Sequence, residues 1–327
     1  MSTFVLFLSS AISFSAIFLY GCVGEIITEK SGHLNLGIPG IMCSGTAGGS
    51  VGVMLYMNAI SNPAEPNYIL LMLIGILSAF IFAAFAGSIY GVLTVYLKCN
   101  QNITGLTLTT FGAGFTQLIM DTIVTSDKRE NFGSASTFIS KSLPFADKLG
   151  AFGEIFLSHG LLVYLAIAIA IAAAIILKKT KVGLRLRAVG ENPAAADAVG
   201  INVSKYKFLA ILIGSGIAGL GGFFYMMGYS GGLYDNYTTI QAFGWLAIAL
   251  VIFAVWRPNI AIFGSILFGA LYIMKDFIHT SSTAQSKLIS LIPYVVTVIV
   301  LLVISITGSK SVQPPASLGL NYFREER

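Results

Sequence analysis

The sequence is poor in charged residues. Of its 327 residues, 10% are charged and 56% are hydrophobic, whereas an ordinary soluble domain carries about 25% charged residues. So few charged side chains would not cover a water-exposed surface, and the composition therefore indicates an all-α polytopic membrane protein. The net charge of +5 does not indicate a nucleic-acid-binding protein, because the excess of Lys and Arg lies in one loop and in the C-terminal tail.

Residues that usually carry chemistry are also scarce. The three cysteines, Cys22, Cys43 and Cys99, follow no metal-ligand or disulfide spacing. The three histidines lie far apart in the sequence, and the P-loop motif G-x-x-x-x-G-K-S/T does not occur. We therefore expect no catalytic residue, no metal or cofactor site and no ATPase site in this chain. An intramembrane enzyme is disfavoured for the same reason, since ionisable residues are dispersed along the sequence.

Long apolar runs divide the chain into segments that can cross a membrane. Such a segment needs roughly 20 apolar residues, and we predict about nine, with an uncertainty of about one, including broken or re-entrant pieces. Residues 1–307 form the transmembrane domain, and residues 308–327, which are polar and contain Pro314 and Pro315, form a flexible tail. The predicted spans are 4–23, 36–57, 68–97, 103–125, 155–177, 208–228, 243–256, 260–277 and 288–306.

Glycine is concentrated in two of these segments. In residues 36–57, Pro39 and several glycines predict an interrupted helix, whose free backbone groups would line a pathway. A similar stretch at 214–232 suggests a duplicated unit, as in many transporters. The alternative is that both are close-packed helices with small residues at their interfaces, for example Gly45 with Gly49. The sequence does not decide between the two interpretations.

The fourth segment, 103–125, is the most polar of the predicted spans. Polar groups at membrane depth usually face the helix bundle or a cavity, because exposure to hydrocarbon is costly. We therefore predict that this segment and the start of the second one line a translocation pathway for a neutral, hydrogen-bonding solute. The candidate pathway residues are Asn35, Asn102, Thr107, Thr110, Gln117 and Asp121.

The central loop, 178–207, is the longest polar stretch between the two apolar halves. It holds seven of the 19 Lys and Arg residues, and such loops stay on the cytoplasmic side of a membrane. The alternation of the spans then places the N-terminus outside the cell and the C-terminus inside. We expect a multi-pass protein of the cytoplasmic membrane.

The centre of this loop has the pattern of a short helix. Asn192 is a favourable N-cap, Pro193 suits the first helical position, and Gly200 can end the helix in a left-handed conformation. A helix of about seven residues is not stable alone in water, since isolated helices shorter than roughly 12 residues are marginal. It therefore needs a surface to lie on.

Several motifs resemble one family of membrane proteins. The run RAVGENP at 187–193 with GINV at 200–203, the run SGHLNLG at 31–37 with GIM at 40–42, and GWLAIAL at 244–250 before Pro258 together resemble the ABC importer permeases for branched-chain amino acids, ribose-type sugars and nucleosides. The likeness is strongest to the simple-sugar and nucleoside permeases. It extends over nearly the whole chain in the same order.

The resemblance implies a transport subunit without ATPase activity of its own. It implies a separate ATPase subunit that binds ATP, an extracellular substrate-binding lipoprotein, a second permease chain, with a heterodimer favoured over a homodimer, and a nucleoside or sugar substrate. The short helix would be the cytoplasmic coupling helix, which lies in a groove of the ATPase subunit. The implied coupling residues are Arg185, Arg187, Glu191, Asn192, Pro193, Ala195, Ala196, Asp197 and Gly200.

One residue departs from the family pattern. Pro39 stands in the second segment where the simple-sugar and nucleoside subgroup usually has Glu, so a pathway acid is lost and a kink is expected. The alternative function is a stand-alone secondary carrier or channel for a small polar solute. A carrier of that kind would have no reason to present a capped, alanine-rich helix to the cytoplasm.

Overall fold

The chain forms a helical bundle in which most helices are long and apolar. The computed structural model describes residues 3–123, 129–142, 149–278, 285, 288–289, 291–307 and 313–323. Its helices are α1 (Thr3–Glu29), α2 (Ile38–Ala59), α3 (Tyr68–Gly91), α4 (Gln101–Ile123), α5 (Arg129–Ile139), α6 (Gly150–Phe156), α7 (Leu161–Lys179), α8 (Lys181–Glu191), α9 (Pro193–Ala198), α10 (Val203–Phe223), α11 (Tyr237–Phe253), α12 (Pro258–Phe277) and α13 (Ile292–Thr307). Two π-helical turns, Val92–Tyr96 and Phe224–Tyr229, extend α3 and α10.

The predicted fold class is confirmed. Each of the nine apolar segments overlaps a membrane-length or shorter apolar helix, although the fifth, 155–177, begins in α6 and enters α7 only at Leu161; within the described residues six helices are long and apolar enough to cross a membrane. These six are α1, α2, α3 with its π-helical turn, α7, α10 with its π-helical turn, and α12. Of the other three, α11 and α13 are shorter, with 17 and 16 residues, and α4 is more polar.

Helices α1, α2 and α10 form the centre of the bundle. Helix α1 packs against α7, α10, α11 and α12, while α2 packs against α3, α4 and α10. A cluster of aromatic rings fixes α1 beside α11 and α12, since Phe14 is stacked on Tyr272 and meets the edge of Phe243. Offset and edge-to-face ring pairs of this kind are worth about 0.5–1.5 kcal/mol beyond the area they bury.

The interruption predicted in the second segment is wrong. Helix α2 runs without a break from Ile38 to Ala59, and Pro39 lies in its first turn, where the missing N–H costs no helical hydrogen bond. The glycines serve close packing: a Cβ at Gly45 would overlap the backbone of Gly219 in α10, and one at Gly40 would overlap the carbonyl of Leu108 in α4. The alternative, two close-packed helices with small residues at the interface, is therefore the observed one.

Successive long helices run in alternating directions, so that distant parts of the sequence meet at one end of the bundle. That end, named here the α8 end, contains the 30–37 turn, the 97–100 turn, α8, α9, the 254–257 turn and the described tail residues 313–323. Backbone hydrogen bonds join these pieces, for example from Ser317 N to the carbonyl of Gly190 at 3.0 Å and from Gly319 N to the carbonyl of Gly32 at 3.3 Å.

Candidate functional site

The short helix of the central loop has the predicted local structure. Helix α9 covers Pro193–Ala198, and the side chain of Asn192 caps it by accepting a hydrogen bond from Ala195 N at 2.9 Å. Gly200 has a φ of +82°, and the hydrogen bonds from Gly200 N to Asp197 O and from Ile201 N to Ala196 O complete a Schellman motif. The predicted cap, first residue and terminating glycine are confirmed.

A small hydrophobic cluster supports α9. It is separate from the main core and is formed by Val189 of α8, Ala196 of α9 and Val203 of α10, with Tyr206 and Tyr322 packed against it. Helix α8, which the sequence analysis did not predict, provides one wall. The signal for α8 in the sequence was Thr180. It is the N-cap of this helix, and its hydroxyl accepts a hydrogen bond from Gly183 N at 3.1 Å. The other face of α9 is open: Ala195 is exposed, and Val199 just beyond it is 76% exposed.

The nine predicted coupling residues do not all share one face. Arg185 extends towards α10, where it donates a hydrogen bond to the hydroxyl of Tyr206 at 3.4 Å. Arg187 lies two residues further, about 200° around a helix of 3.6 residues per turn, and lines a cavity with Lys30 and Arg257. Glu191 lies at the α8–α9 junction, and the two arginines are separated from each other. The remaining predicted coupling residues lie on α9 or directly beside its ends: Asn192, Pro193, Ala195, Ala196, Asp197 and Gly200.

The described part of the C-terminal tail is packed at this same site, in contrast to the flexible tail expected from the sequence. Glu191 Oε2 accepts a hydrogen bond from Ala316 N at 3.3 Å, and Asp197 Oδ2 accepts one from the hydroxyl of Tyr322 at 2.8 Å. Asn321 donates to the carbonyl of Lys98 at 2.7 Å and accepts from the side chain of Gln101 at 3.1 Å. The tail therefore connects α8 and α9 to the start of α4.

A second site lies along α4, far from α9. A groove of about 840 Å³ is lined by Thr110, Gln117 and Asp121 of α4 and by Tyr237 and Gln241 of α11. Positions 110, 114, 117 and 121 are separated by four, three and four residues, which places them on one helix face. Much of α4 is uncovered, for example Leu118, which is 65% exposed. The groove is thus open on one side.

Hydrogen bonds fix the polar groups of this groove. Gln117 donates from Nε2 to Asp121 Oδ1 at 2.6 Å and accepts at Oε1 from the hydroxyl of Tyr234 at 2.9 Å. Gln241 donates to the carbonyl of Thr109 at 3.2 Å. Tyr237 and Gln241 of α11, and Tyr234 just before it, carry no local signal in the sequence, because they approach α4 only through the packing of this part of the chain beside it. Such an arrangement suits a solute with several hydroxyl or ring-nitrogen groups.

Three of the six predicted pathway residues lie outside this groove. Asn35 is fully buried in the turn before α2, where its Oδ1 accepts a hydrogen bond from Gly37 N at 2.9 Å. Asn102 is exposed in the first turn of α4. Thr107 lines a neighbouring, apolar groove between α3 and α4. The structure brings together Thr110, Gln117 and Asp121 alone.

Two buried carboxylates near the α8 end were also missed. Glu25 Oε1 accepts a hydrogen bond from Asn35 N at 3.0 Å, and Glu29 Oε2 accepts one from Trp256 Nε1. Both glutamates are buried, with exposed fractions of 0% and 3%. They hold the 30–37 turn and the 254–257 turn against the end of α1. The signal in the sequence was a pair of acidic residues four positions apart at the end of an apolar helix, which places both on one face.

Comparison with known proteins identifies the family. A family described as "Branched-chain amino acid transport system / permease component" matches residues 7–303. The nucleoside ABC transporter permease protein NupC of Lactococcus lactis subsp. cremoris is 28% identical over 100% of this chain and 99% of its own length. The guanosine ABC transporter permease protein NupQ of Bacillus subtilis is 29% identical over 88% of each chain.

A third relative comes from an archaeon and has a different substrate in its name. The putative glucose ABC transporter permease protein TsgC13 of Haloferax volcanii is 32% identical over 81% of this chain and 75% of its own length. The resemblance suggested by the RAVGENP motif is thereby confirmed over the apolar part of the sequence. With its apolar helices, its capped α9 and a family match that extends over residues 7–303, the chain belongs to the family of permease components of the branched-chain amino acid transport system.

Proposed function

We propose that the chain is the transmembrane subunit of an ABC importer for nucleosides or simple sugars, driven by a separate ATPase subunit that docks on α9. The observation that carries this proposal is the geometry of α9. A six-residue helix is kept at the end of the bundle by caps at both ends and by a small core on one side, while its other side is exposed. Such a helix is a rigid contact surface for a partner protein.

The distribution of basic residues supports a cytoplasmic location for the α8 end. The loop that carries α8 and α9 holds Lys178, Lys179, Lys181, Arg185, Arg187 and Lys205, and the adjacent turns hold Lys30, Lys98 and Arg257. Loops rich in Lys and Arg stay on the cytoplasmic side. The N-terminus then lies outside, because α1 begins at the opposite end of the bundle, and the C-terminus lies inside.

Coupling follows from how α9 is attached. Helix α8 continues from α7 across a single residue, Thr180, and a connection of four residues, 199–202, joins α9 to α10. A force on α9 is therefore transmitted directly to two long helices. The bonds of Asn321 to Lys98 and Gln101 add a third connection, to α4 and the groove. Closure of the ATPase subunits would tilt these helices and expose the groove alternately to the two sides of the membrane.

The groove along α4 supports the substrate class and the need for a second permease. Its amide, hydroxyl and carboxylate groups match the donors and acceptors of a nucleoside or sugar. Its open side leaves Leu118 uncovered, and a second permease chain facing this side would close the conduit. We favour a heterodimer, because two permeases of L. lactis, NupC and NupB, are both similar to this chain. An extracellular binding lipoprotein would supply most of the affinity.

Reconstitution tests this function. The chain is co-produced with its ATPase subunit, second permease and binding lipoprotein, and the complex is placed in proteoliposomes with ATP inside or outside. We expect accumulation of radiolabelled guanosine, adenosine, ribose or glucose that requires ATP on the α9 side and requires the binding protein. Uptake by this chain alone, without ATP, would instead support the stand-alone carrier or channel.

A further inference from the structure

A cavity beside α8 is lined by four basic side chains. Its volume is about 540 Å³, and it lies where the end of α7, the side of α8 and the 254–257 turn meet. The four residues come from four separate parts of the chain: Lys30 follows α1, Lys178 is at the end of α7, Arg187 is in α8 and Arg257 precedes α12. The long-range fold, and not a local run of basic residues, thus brings them together.

The positive charge of this cavity is only partly compensated, by Glu191 and Glu29 near Lys30. Among the described residues, no carboxylate makes an ion pair or hydrogen bond with the side chains of Lys178, Arg187 or Arg257. Burial lowers the pKa of Lys30, and the nearby charges of Arg187 and Arg257 lower it further, whereas Glu191 and Glu29 act in the opposite direction. Like charges held together in a half-buried space repel one another, and an anion bound among them would relieve that repulsion.

The backbone around the cavity adds to its affinity for an anion. Helix α12 begins at Pro258, and its first turn, including Asn259 and Ile260, lines the same space. The N-terminus of a helix of 20 residues carries partial positive charge, although the N–H groups of Ile260 and Ala261 already donate to the carbonyl of Arg257. Val255 and Trp256 have φ values of +53° and +52°, an uncommon conformation for non-glycine residues that often marks a functional site.

The apolar walls of the cavity indicate what kind of anion binds. Ala174 and Leu177 of α7 and Ile260 of α12 line it beside the basic groups. On the adjacent surface of α7, Ile171 and Ile175 are 48% and 49% exposed, which is the pattern of a lipid-facing helix side. A soluble anion would use the charged part of the cavity alone. A phospholipid would use both parts, with its phosphate among the cations and its acyl chains along α7.

We propose that this cavity binds the headgroup of an anionic phospholipid, with the phosphate held by Lys30, Lys178, Arg187 and Arg257. The site is independent of the transported solute, since it shares no lining residue with the groove along α4. It also gives Arg187 a role apart from the coupling surface. Anionic lipid would then brace the end of α7, α8 and the 254–257 turn, of which α8 packs directly against α9.

Tryptophan fluorescence provides a site-specific test. The chain has two tryptophans, and one of them, Trp256, lines the cavity, so the variant Trp245→Phe of the full chain reports on this site alone. It is reconstituted in phosphatidylcholine vesicles with increasing fractions of brominated phosphatidylglycerol, which quenches tryptophan on contact. The same titration with brominated phosphatidylcholine gives the reference.

We expect phosphatidylglycerol to bind at Trp256 about tenfold more tightly than phosphatidylcholine, and the removal of one of the four cations to lower this preference about twofold. Lys178→Gln and Arg257→Gln in the Trp245→Phe chain are the test variants. Lys179→Gln is the matched control, because Lys179 is adjacent in sequence and does not line the cavity. Lys178 is exposed at a helix end, so its replacement does not threaten folding.

Three outcomes overturn the proposal. Equal quenching by the two brominated lipids would mean that the cavity does not select an anionic headgroup. A preference that Lys178→Gln and Lys179→Gln reduce equally would mean general attraction to a charged membrane. The third comes from a competition experiment. If soluble glycerol 1-phosphate displaces the brominated lipid at millimolar concentration, the cavity binds a free anion and the lipid assignment is wrong.

Discussion

The hydroxyl of Tyr322 donates a hydrogen bond to Asp197 Oδ2 at 2.8 Å, and this bond joins the C-terminal segment to the end of α9. The neighbouring residue, Asn321, bonds to Lys98 and Gln101 at the start of α4. Two adjacent tail residues thus connect the proposed docking helix with the helix that lines the groove. The first prediction follows from this connection.

Tyr322→Phe should slow transport without changing substrate recognition. The variant keeps the ring in the small cluster around Ala196 and removes one charge-assisted hydrogen bond, worth about 1.5–3 kcal/mol. We expect a several-fold lower ATP-driven uptake rate and an unchanged KM for the solute, measured in proteoliposomes. Tyr229→Phe, at the opposite end of α10, is the control and should have the wild-type rate. An altered KM in Tyr322→Phe would place the effect in the groove and contradict the connection.

The cap of α9 provides a second prediction. Asn192→Ala removes the acceptor for Ala195 N and should destabilise the helix by about 1 kcal/mol. We expect a weaker complex with the ATPase subunit, measured as an approximately fivefold higher dissociation constant. Asn192→Asp keeps a capping oxygen and should restore binding. If Asn192→Ala and Asn192→Asp bind the ATPase equally well, the cap has no role in docking.

The groove gives a third prediction, which separates two residues of α4. Gln117→Leu removes bonds to both Asp121 and Tyr234, and the loss of about 1 kcal/mol should raise the KM for uptake about fivefold. Thr110→Val, which removes one hydroxyl at the same groove, should change the KM less than about threefold, because the binding lipoprotein supplies most of the selectivity. Thr107→Val is the control outside the groove. A large change of substrate specificity in Thr110→Val would contradict a wide, mildly polar conduit.

Cross-linking tests the position of the second permease chain. Leu118 is 65% exposed beside the groove, whereas Ile171 on α7 is 48% exposed on another side of the bundle. In a chain without Cys22, Cys43 and Cys99, we expect Leu118→Cys to cross-link to cysteines placed on the partner permease. The matched variant Ile171→Cys should not cross-link. The reverse result would put the interface on α7 and leave the groove facing lipid.

Hydropathy and capping patterns were sufficient to predict much of this structure from the sequence. The apolar segments are local signals of about 20 residues, and the cap at Asn192 is set by residues within one turn. The glycines of α2 were ambiguous, because the same residues weaken an isolated helix and allow close packing. The outcome depended on partners such as Gly219, more than 150 positions away.

What the sequence did not reveal depends on contacts between distant segments. The tail is polar and contains Pro314 and Pro315, a composition typical of flexible chain, yet Ser317 bonds to the backbone of Gly190 through both its N–H and its hydroxyl. Any accessible backbone carbonyl could accept these two hydrogen bonds from Ser317. The buried Glu25 likewise has its partner in the backbone of Asn35. A hydrogen bond to a backbone group does not depend on the side chain of that residue, so the sequence pattern does not predict it.

The central claim is that α9 faces the cytoplasm and is covered by an ATPase subunit. Val199→Cys, at a position that is 76% exposed, tests it in the background without Cys22, Cys43 and Cys99. A membrane-impermeant maleimide should label this cysteine in inside-out vesicles, should fail to label it in intact cells, and should react much more slowly once the ATPase subunit is bound. Labelling from outside intact cells, or a rate that the ATPase subunit does not change, would contradict the proposed function.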